Sequence, residues 1–193
     1  YSSKWTEEKK RHHFQRVITA VKHMTGLLDD VLLIGKADAG KLEFNPSSID
    51  LIEFCRELVE GMQITTTAHR IILRTQGDGA NACMDEKLLR QVLGNLLSNA
   101  IKYSPNGGSI YFDLACQTGV AIFRVQDEGI GIPTSDRDRL FHSFHRASNV
   151  GNISGTGLGL AIVKKSVDAH GGRIYVKSEV GVGTIFMVKM PLY

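Results

Sequence analysis

Hydrophobic residues in the first fifth of the chain recur at steps of three and four positions. They are Phe14, Val17, Ile18, Val21, Met24, Leu28, Val31, Leu32 and Ile34. Such steps place the residues on one side of a helix that packs in a bundle or coiled coil. Thr6 is a suitable N-cap and Gly40 a suitable end, with Glu7 and Glu8 in the positive first turn. The pattern predicts one long helix over residues 6–39, whose apolar stripe we expect to be buried against another chain or a partner helix.

The rest of the chain alternates between helical periods and runs that are typical of strands. Further helices are predicted over residues 50–66, 85–103, 135–141 and 158–170, the first with a capping box at Asp50 and the second with Asp85 as its N-cap. Strands are predicted over residues 42–44, 71–75, 80–84, 109–115, 120–126, 173–178 and 184–190, with turns at 46–48 and 77–79. Because this alternation lacks strict βαβ regularity, we expect a two-layer α/β fold, a mixed sheet with helices on one face, preceded by the long helix.

Length and composition limit the class of protein. The 193 residues suffice for one domain, or for one domain with an appendage. A net charge of +3 is too small to indicate nucleic-acid binding, and no apolar run approaches the roughly 20 residues of a membrane span. Cys55, Cys83 and Cys116 lack metal-binding spacing and are typical of reduced thiols in the cytoplasm. Because the chain starts at Tyr1 rather than Met, we interpret it as an internal piece of a longer protein.

Ten of the 20 glycines lie between Gly129 and Gly183. Two clusters, at residues 129–131 and 155–159, stand on either side of a polar segment, 145–154, that has no regular period. Glycine lets the backbone lie close to a ligand, so these clusters favour a site where backbone amides meet phosphates beneath a movable cover. A tight turn and a helix end explain the same glycines equally well. The glycines alone leave both interpretations open.

Asn95, Asn99 and Lys102 are spaced i, i+4 and i+7 in a predicted helix, so they share one face. Asparagine is a weak helix former, and two of them in an apolar helix need a reason. They are buried hydrogen-bonding residues, or they lie on a solvated edge, or they are amide ligands for Mg²⁺ with a lysine that neutralises phosphate. By contrast, residues 35–41 match the P-loop pattern GxxxxGK, but Leu42 follows where a hydroxyl is needed and the run ends a helix. We do not expect that run to bind phosphate.

Five short motifs in a fixed order over 90 residues resemble those of one family. Residues 95–103 resemble the N box, 127–132 the G1 box, 141–144 the F box, 155–160 the G2 box and 181–184 the last glycine turn. On these motifs the chain resembles a sensor histidine kinase, with an ATP-binding part similar to the gyrase, Hsp90, histidine kinase and MutL superfamily. The resemblance implies a Bergerat-type ATP-binding catalytic domain over residues 44–193. It also implies that residues 1–43 are part of a dimerisation and histidine-phosphotransfer region, of which residues 6–39 resemble the second helix.

The resemblance implies that the chain binds ATP and Mg²⁺. Asp127 would accept a hydrogen bond from the adenine 6-amino group, where guanine presents an oxygen and would be rejected. Asn99 would ligate Mg²⁺ with Asn95 as a second contact, and the catalytic residues implied are Asn95, Lys102 and Arg146. Further ATP contacts are implied at Tyr103, Gly129, Gly131, Ile132, Phe141, Phe144, Gly155, Thr156, Gly157, Leu158, Gly159, Leu160 and Thr184.

Within that set, the resemblance assigns particular tasks. Gly129 and Gly131 would let the backbone pass beside the base, and Thr184 would hydrogen-bond near the adenine. Residues 155–159 would lead the phosphates to the N-terminus of the last helix, whose amides and dipole favour anions. Arg146 would reach the terminal phosphate once the cover closes.

One family feature is missing from the sequence. A histidine kinase phosphorylates its own histidine, which is followed by an acidic residue and, a few positions later, by proline. None of the seven histidines has that pattern: they are His12, His13, His23, His69, His142, His145 and His170. We therefore expect the phosphoacceptor to lie upstream of Tyr1, so that the chain carries the ATP machinery without its acceptor.

The function that the resemblance implies is transfer of the γ-phosphate of Mg-ATP to that upstream histidine, for relay to an aspartate of a response-regulator receiver domain. The implied setting is a cytoplasmic homodimer joined through the N-terminal helix, without nucleic-acid or direct membrane contact. A serine kinase of the anti-sigma type and a non-catalytic nucleotide-sensing scaffold remain as alternatives. A Rossmann dehydrogenase is excluded, because residues 155–159 are not GxGxxG and no strand precedes them.

Overall fold

The computed structural model describes residues 6–77, 81–117 and 119–192, except the side chains of Lys22 and His23. The chain divides into two compact units between Lys41 and Leu42. In the described part, no helix combines the length and the apolar character that crossing a bilayer requires.

The described residues of the first unit form one helix, α1 (Glu7–Asp38), which confirms the predicted long helix. Its N-cap Thr6 accepts a hydrogen bond from the Lys9 amide at 3.4 Å, and Gly40 follows its end with φ of +66°. Most of the predicted stripe is 47–68% exposed: Phe14, Val17, Ile18, Val21, Met24, Leu28, Val31 and Leu32. The stripe therefore remains a candidate for a surface that another helix covers.

The described part of the second unit contains three α-helices: α2 (Leu51–Gln63), α3 (Glu86–Lys102) and α4 (Gly159–Ala169). As predicted, Asp50 caps α2 through the Ile52 and Glu53 amides, and Asp85 caps α3 through the Leu88 amide at 3.0 Å. The short helix predicted near residue 135 is a 3₁₀ helix, Thr134–Arg139.

In the described residues, seven strands form two sheets. They are β1 (Ser47–Asp50), β2 (His69–Gln76), β3 (Asn81–Met84), β4 (Gly108–Gln117), β5 (Val120–Asp127), β6 (Arg173–Glu179) and β7 (Gly183–Pro191). The main sheet has the order β2-β4-β5-β7-β6, with β2 and β4 parallel and the other neighbours antiparallel. The mixed sheet was therefore predicted correctly.

The core lies between this sheet and the helices. Alternate residues of the central strands are fully buried, as Phe112 and Phe123 illustrate, and α3 contributes Leu93 and Leu97 from the facing side. A single buried face on the sheet is what a two-layer arrangement requires. The same layering brings the loop after β5, the end of α3 and the start of α4 to one edge of the unit.

Several predicted boundaries are wrong at the N-terminal edge of this unit. Residues 42–44 form no strand; instead the Phe44 ring packs edge-on against the His170 ring, with centroids 4.9 Å apart. A strand, β1, stands where a turn at 46–48 was predicted, because β3 supplies it with an antiparallel partner. That pairing also separates β3 from β2, which pairs with β4. Of the predicted 77–79 turn, Asp78 and Gly79 lie outside the described residues.

The end of α2 differs from the prediction by three residues. The helix stops at Gln63 instead of reaching Thr66. The side-chain amide of Gln63 donates to the carbonyls of Thr66 (3.1 Å) and His69 (2.9 Å), and its oxygen accepts from the Ile71 amide. This side chain satisfies backbone groups that a continued helix would have used, so the chain turns there into β2.

Candidate nucleotide-binding site

Asp127 ends strand β5 with its side chain inside the protein, only 7% exposed. Its Oδ1 atom accepts hydrogen bonds from the backbone amides of Gly129 (2.9 Å) and Thr184 (3.2 Å). Burial raises the pKa of Asp127 above its ordinary value of 3.8, while the two hydrogen bonds act in the opposite direction. The carboxylate is thus fixed through one oxygen, at the junction of β5 and β7.

The loop after Asp127 lies tightly between two other elements. The Ile130 amide donates to the Tyr103 carbonyl at the end of α3 (2.9 Å), and the Gly181 amide donates to the Ile130 carbonyl (3.0 Å). A Cβ atom on Gly129 would overlap the Tyr103 carbonyl, and one on Gly131, whose φ is +65°, would overlap the Glu179 carbonyl. Glycine is therefore required at both positions for close approach of backbone to backbone.

The polar face of α3 meets the second glycine cluster. The side-chain amide group of Asn95 donates to the Gln91 carbonyl (2.9 Å), and a Cβ atom on Gly159 would stand 2.8 Å from the Asn95 Oδ1 atom. One and two turns further, Asn99 and Lys102 continue this partly buried face. The Asn95 oxygen is therefore turned toward the start of α4 rather than toward the core.

Lys102 and Tyr103 stand beside Gly155. The Lys102 ammonium lies 4.8 Å from the centroid of the Tyr103 ring, and a Cβ atom on Gly155 would overlap the Lys102 Nζ atom. A cation held against an aromatic face keeps its position without a carboxylate partner, so its charge stays available to an anion. The two motifs therefore meet at a positively charged point.

Residues 155–159 lead into the N-terminus of α4. Leu158 stands at the N-cap position and provides no side-chain cap, while its own amide donates to the Thr156 hydroxyl at 3.3 Å. The uncapped amides of a first helical turn form a natural anion site. This terminus faces the same region as Asn95 and Lys102.

The polar segment, residues 145–154, is attached to the loops around the site. The Ser148 amide and hydroxyl both donate to Asp136 Oδ2, at 2.9 and 2.8 Å, and the Asn149 side chain donates to the Gly131 carbonyl at 2.9 Å. These hydrogen bonds lower the pKa of Asp136, the one from the Ser148 amide more than the one from the Ser148 hydroxyl. Arg146 donates to the Ile153 carbonyl of the same segment, so its guanidinium stays within the cover.

The other motif residues divide between core and surface. Ile132, Phe141 and Leu160 pack against the hydrophobic core, and Leu158 is buried. Phe144 is 69% exposed and has a φ of +64°, an unusual value for a bulky residue. Its amide donates to the Gly157 carbonyl at 3.0 Å, which joins the F-box and G2-box backbones.

Three polar residues at the site were missed by the sequence analysis: Asp136, Asn149 and Ser178. Asp136 and Ser178 are 4% and 6% exposed, and Asn149 contacts the loop after β5. Ser178 could have been noticed, because a serine at a buried position of a strand needs hydrogen-bonding partners for its hydroxyl group. Asp136 and Asn149 form hydrogen bonds with residues 12 and 18 positions away in the sequence. A local periodic pattern therefore could not have identified these two residues.

Metal ligation at this site would depend on amide oxygens. Within the described ranges, no group of three or more His, Cys, Asp and Glu side chains is arranged to hold a metal ion. The Asn95 oxygen, turned toward the α4 terminus, is a hard neutral ligand of the type that suits Mg²⁺ when phosphates and water complete the shell.

Comparison with known proteins gives the family. Residues 84–193 match the family described as histidine kinase-, DNA gyrase B- and HSP90-like ATPase. The chain is 35% identical over 175 residues to the sensor histidine kinase WalK of Bacillus subtilis (strain 168), covering 88% of this chain and 29% of that protein. It is 33% identical over 190 residues to the circadian input-output histidine kinase CikA of Synechococcus elongatus, covering 95% and 25%.

A solved structure agrees with these relatives. Full-length ShkA, crystallised in complex with AMPPNP, matches with a TM-score of 0.81 and 28% identity over 97% of this chain and 40% of that one. The chain thus spans well under half the length of these proteins. Its matched region includes every element that meets at the site described above. This chain belongs to the family of histidine kinase-, DNA gyrase B- and HSP90-like ATPases, and the two relatives named above are histidine kinases.

Proposed function

We propose that this chain is the catalytic part of a two-component sensor kinase, which transfers the γ-phosphate of Mg-ATP to a histidine in a phosphoacceptor helix. The observation that carries the proposal is the meeting of α3 with the second glycine cluster, Lys102 against Gly155 and Asn95 against Gly159. A cation, an amide oxygen and a free helix N-terminus converge there on one point. Such a combination suits a polyphosphate with a divalent cation.

Nucleotide recognition is assigned to the opposite end of the site. Asp127 Oδ1 is occupied by the Gly129 and Thr184 amides, which leaves Oδ2 as the acceptor for an adenine amino group. Because a ketone oxygen at that position would face another acceptor in a buried pocket, adenine is favoured over guanine. Tyr103 and the loop from Gly129 to Ile132 line the space between base and phosphates.

Catalysis in this arrangement depends on positioning and charge stabilisation. Mg²⁺, held by Asn99 and Asn95 together with phosphate oxygens, would neutralise the charge that develops on the transferred group. Lys102 contributes a second positive charge, and the α4 amides orient the phosphate chain. Arg146 reaches the terminal phosphate only after the cover, residues 145–154, has rearranged, since its guanidinium is bound to Ile153.

The wider setting belongs to the same proposal. Residues 1–43 supply one helix of a dimerisation and phosphotransfer region, and residues 44–193 form the catalytic domain. The partners are a second copy of the chain, through α1, and a response-regulator receiver domain. The proposed location is the cytoplasm, where ATP is available. The exposed stripe on α1 supports the dimer, because a row of large apolar side chains is stable when covered.

The test uses γ-labelled ATP and two chains, the 193 residues and the same chain extended upstream through a phosphoacceptor helix. We expect both to bind Mg-ATP in calorimetry, and only the extended chain to acquire phosphate that is labile in acid and stable in base. Asn99→Ala in the extended chain should abolish the label, whereas Ser98→Ala, on an exposed position of the same helix, should not. Base-stable, acid-labile label on the short chain would place an acceptor among its own histidines and overturn the assignment.

A further inference from the structure

The hydroxyl group of Ser178 has three hydrogen-bonding neighbours in a buried part of the site. It accepts from the Ile132 amide at 2.9 Å, donates to the Gly183 carbonyl at 2.9 Å and lies 2.9 Å from the Thr184 hydroxyl oxygen. Ser178 is 6% and Thr184 5% exposed. A serine hydroxyl has one hydrogen and two lone pairs, so three partners use its whole capacity.

The direction of each bond follows from the chemistry of the partners. An amide N–H can only donate and a carbonyl oxygen can only accept, so the single hydrogen of Ser178 points to Gly183. The bond between the two hydroxyl groups must then be donated by Thr184. Its hydrogen is consequently directed away from the nucleotide site and into the protein.

We infer that Ser178 is a specificity-determining residue, which fixes the Thr184 hydroxyl as a hydrogen-bond acceptor toward the base. The Thr184 amide already donates to Asp127 Oδ1 at 3.2 Å, so threonine and carboxylate are held side by side. Together they present acceptors only, and a ligand edge that carries an amino group is the matching partner. This inference rests on the proposed recognition of adenine by Asp127.

Loss of Ser178 would release the Thr184 hydrogen. The hydroxyl could then rotate and donate to an oxygen on the base, so a 6-oxo purine would no longer face acceptors alone. The Ile132 amide would lose its buried acceptor as well, which costs stability but favours neither base. Base discrimination therefore separates the orienting role from a merely structural one.

The experiment measures affinities for Mg-ATP and Mg-ITP, since inosine replaces the 6-amino group by an oxygen. Wild type should prefer ATP, and Ser178→Ala should lower the ATP-to-ITP affinity ratio by at least about threefold, the loss expected for one neutral hydrogen bond. Ser178→Thr keeps a hydroxyl and should retain the ratio. Ser166→Ala is the matched control, because Ser166 is fully buried in α4 and its hydroxyl has no partner among the described residues.

A double-variant cycle tests the route through Thr184. In a Thr184→Val background, which lacks the hydroxyl, Ser178→Ala should leave the ratio unchanged. Suppose that wild type prefers ATP, that Asp127→Asn loses this preference, and that Ser178→Ala keeps the wild-type ATP-to-ITP affinity ratio. This result overturns the role of Ser178 and leaves the recognition of adenine by Asp127 intact. A wild type that binds ATP and ITP equally overturns the base-reading proposal and this inference together. If Ser178→Ala does not fold, Ser178→Cys, which keeps the volume with a weak hydrogen-bonding group, gives the same comparison.

Discussion

At the scale of single residues, the site is built from side chains whose orientation is fixed by backbone groups. Asp127 is held by two amides and Asn95 by a carbonyl of its own helix. Each side chain therefore keeps one polar atom engaged with the protein and offers another to a ligand. Preorganisation of this kind lowers the cost of binding, because little freedom remains to be lost.

Asp127→Asn should weaken ATP binding at least about tenfold, or about 1.4 kcal/mol, because the amide cannot replace the carboxylate as acceptor for the amino group. The asparagine oxygen can still accept from the Gly129 and Thr184 amides, so the fold should persist. Calorimetry with ATP and GTP measures the effect, with Asp138→Asn, at an exposed position of the 3₁₀ helix, as the control. Equal affinity of the variant and wild type for ATP would remove Asp127 from base recognition.

The raised pKa of Asp127 gives a dependence of stability on pH. Since folding raises this pKa above 3.8, the folded state binds the proton more tightly, and the ionised carboxylate opposes folding. Its contribution to the free energy of unfolding thus falls as pH increases from 3.8 through the raised value. Asp127→Asn removes the ionisation, so the stability of the variant relative to wild type should increase from acid to neutral pH in denaturant titrations. If the difference in free energy of unfolding between the variant and wild type is the same at every pH, the pKa of Asp127 is not raised by folding.

Asn99→Ala should remove most of the Mg²⁺-dependent part of ATP affinity while the fold stays intact. The reason is that a neutral amide oxygen contributes only at the metal, so affinity in the presence of a chelator should change little. Titration of ATP with and without Mg²⁺ measures the difference, again with Ser98→Ala as the control. If the magnesium dependence is unaltered, Asn95 becomes the ligand to test next.

At the scale of elements, the cover over the site is attached by a few polar contacts. Residues 145–154 contain few apolar anchors, and Asp136 and Asn149 hold them to the 3₁₀ helix and to the loop after β5. Segments with few buried contacts open at low free energy. The cover can therefore move while the sheet and helices stay fixed, as a site that must exchange nucleotide requires.

Hydrogen exchange should reveal this mobility directly. In the nucleotide-free protein, amides of residues 145–154 should exchange fast, and Mg-ATP should slow them. Asp136→Ala should accelerate exchange near Ser148 further, because both bonds to the carboxylate are lost, whereas Asp138→Ala should have no effect. Slow exchange in the empty wild-type protein would contradict a mobile cover.

At the scale of the whole molecule, the chain has two units with different surfaces. The second unit encloses a continuous core, while α1 exposes a stripe of large apolar side chains. A helix of this length with such a surface is typical of bundles and coiled coils. We therefore propose that α1 mediates association between chains and that the second unit carries the nucleotide chemistry.

The association is testable on the chain extended upstream through a phosphoacceptor helix. Leu28→Glu should dissociate the expected dimer, since the substitution places a charge in the centre of the covered stripe. Thr19→Glu, on the opposite side of α1, should leave the dimer intact. Sedimentation velocity over a range of concentrations distinguishes the two. A dimer that survives Leu28→Glu unchanged would move the interface elsewhere.

Local pattern in the sequence was sufficient for α1, for the caps Asp50 and Asp85, and for most strands of the main sheet. It also identified the family, because the five motifs keep their order along the chain. The pairing of β1 with β3, the end of α2 at Gln63 and the missing strand at 42–44 came from contacts between distant segments. Period and propensity carry no information about such partners.

The site follows the same division. The sequence by itself determined which residues are chemically equipped, since Asp127, Asn95, Asn99 and Lys102 stand in recognisable motifs. Only the tertiary structure decided that Ser178 and Asp136 belong to the site, because their hydrogen bonds join residues that are 46 and 12 positions apart. A hydroxyl or carboxylate acquires its direction from the partners that surround it after folding, and a linear pattern does not contain those partners.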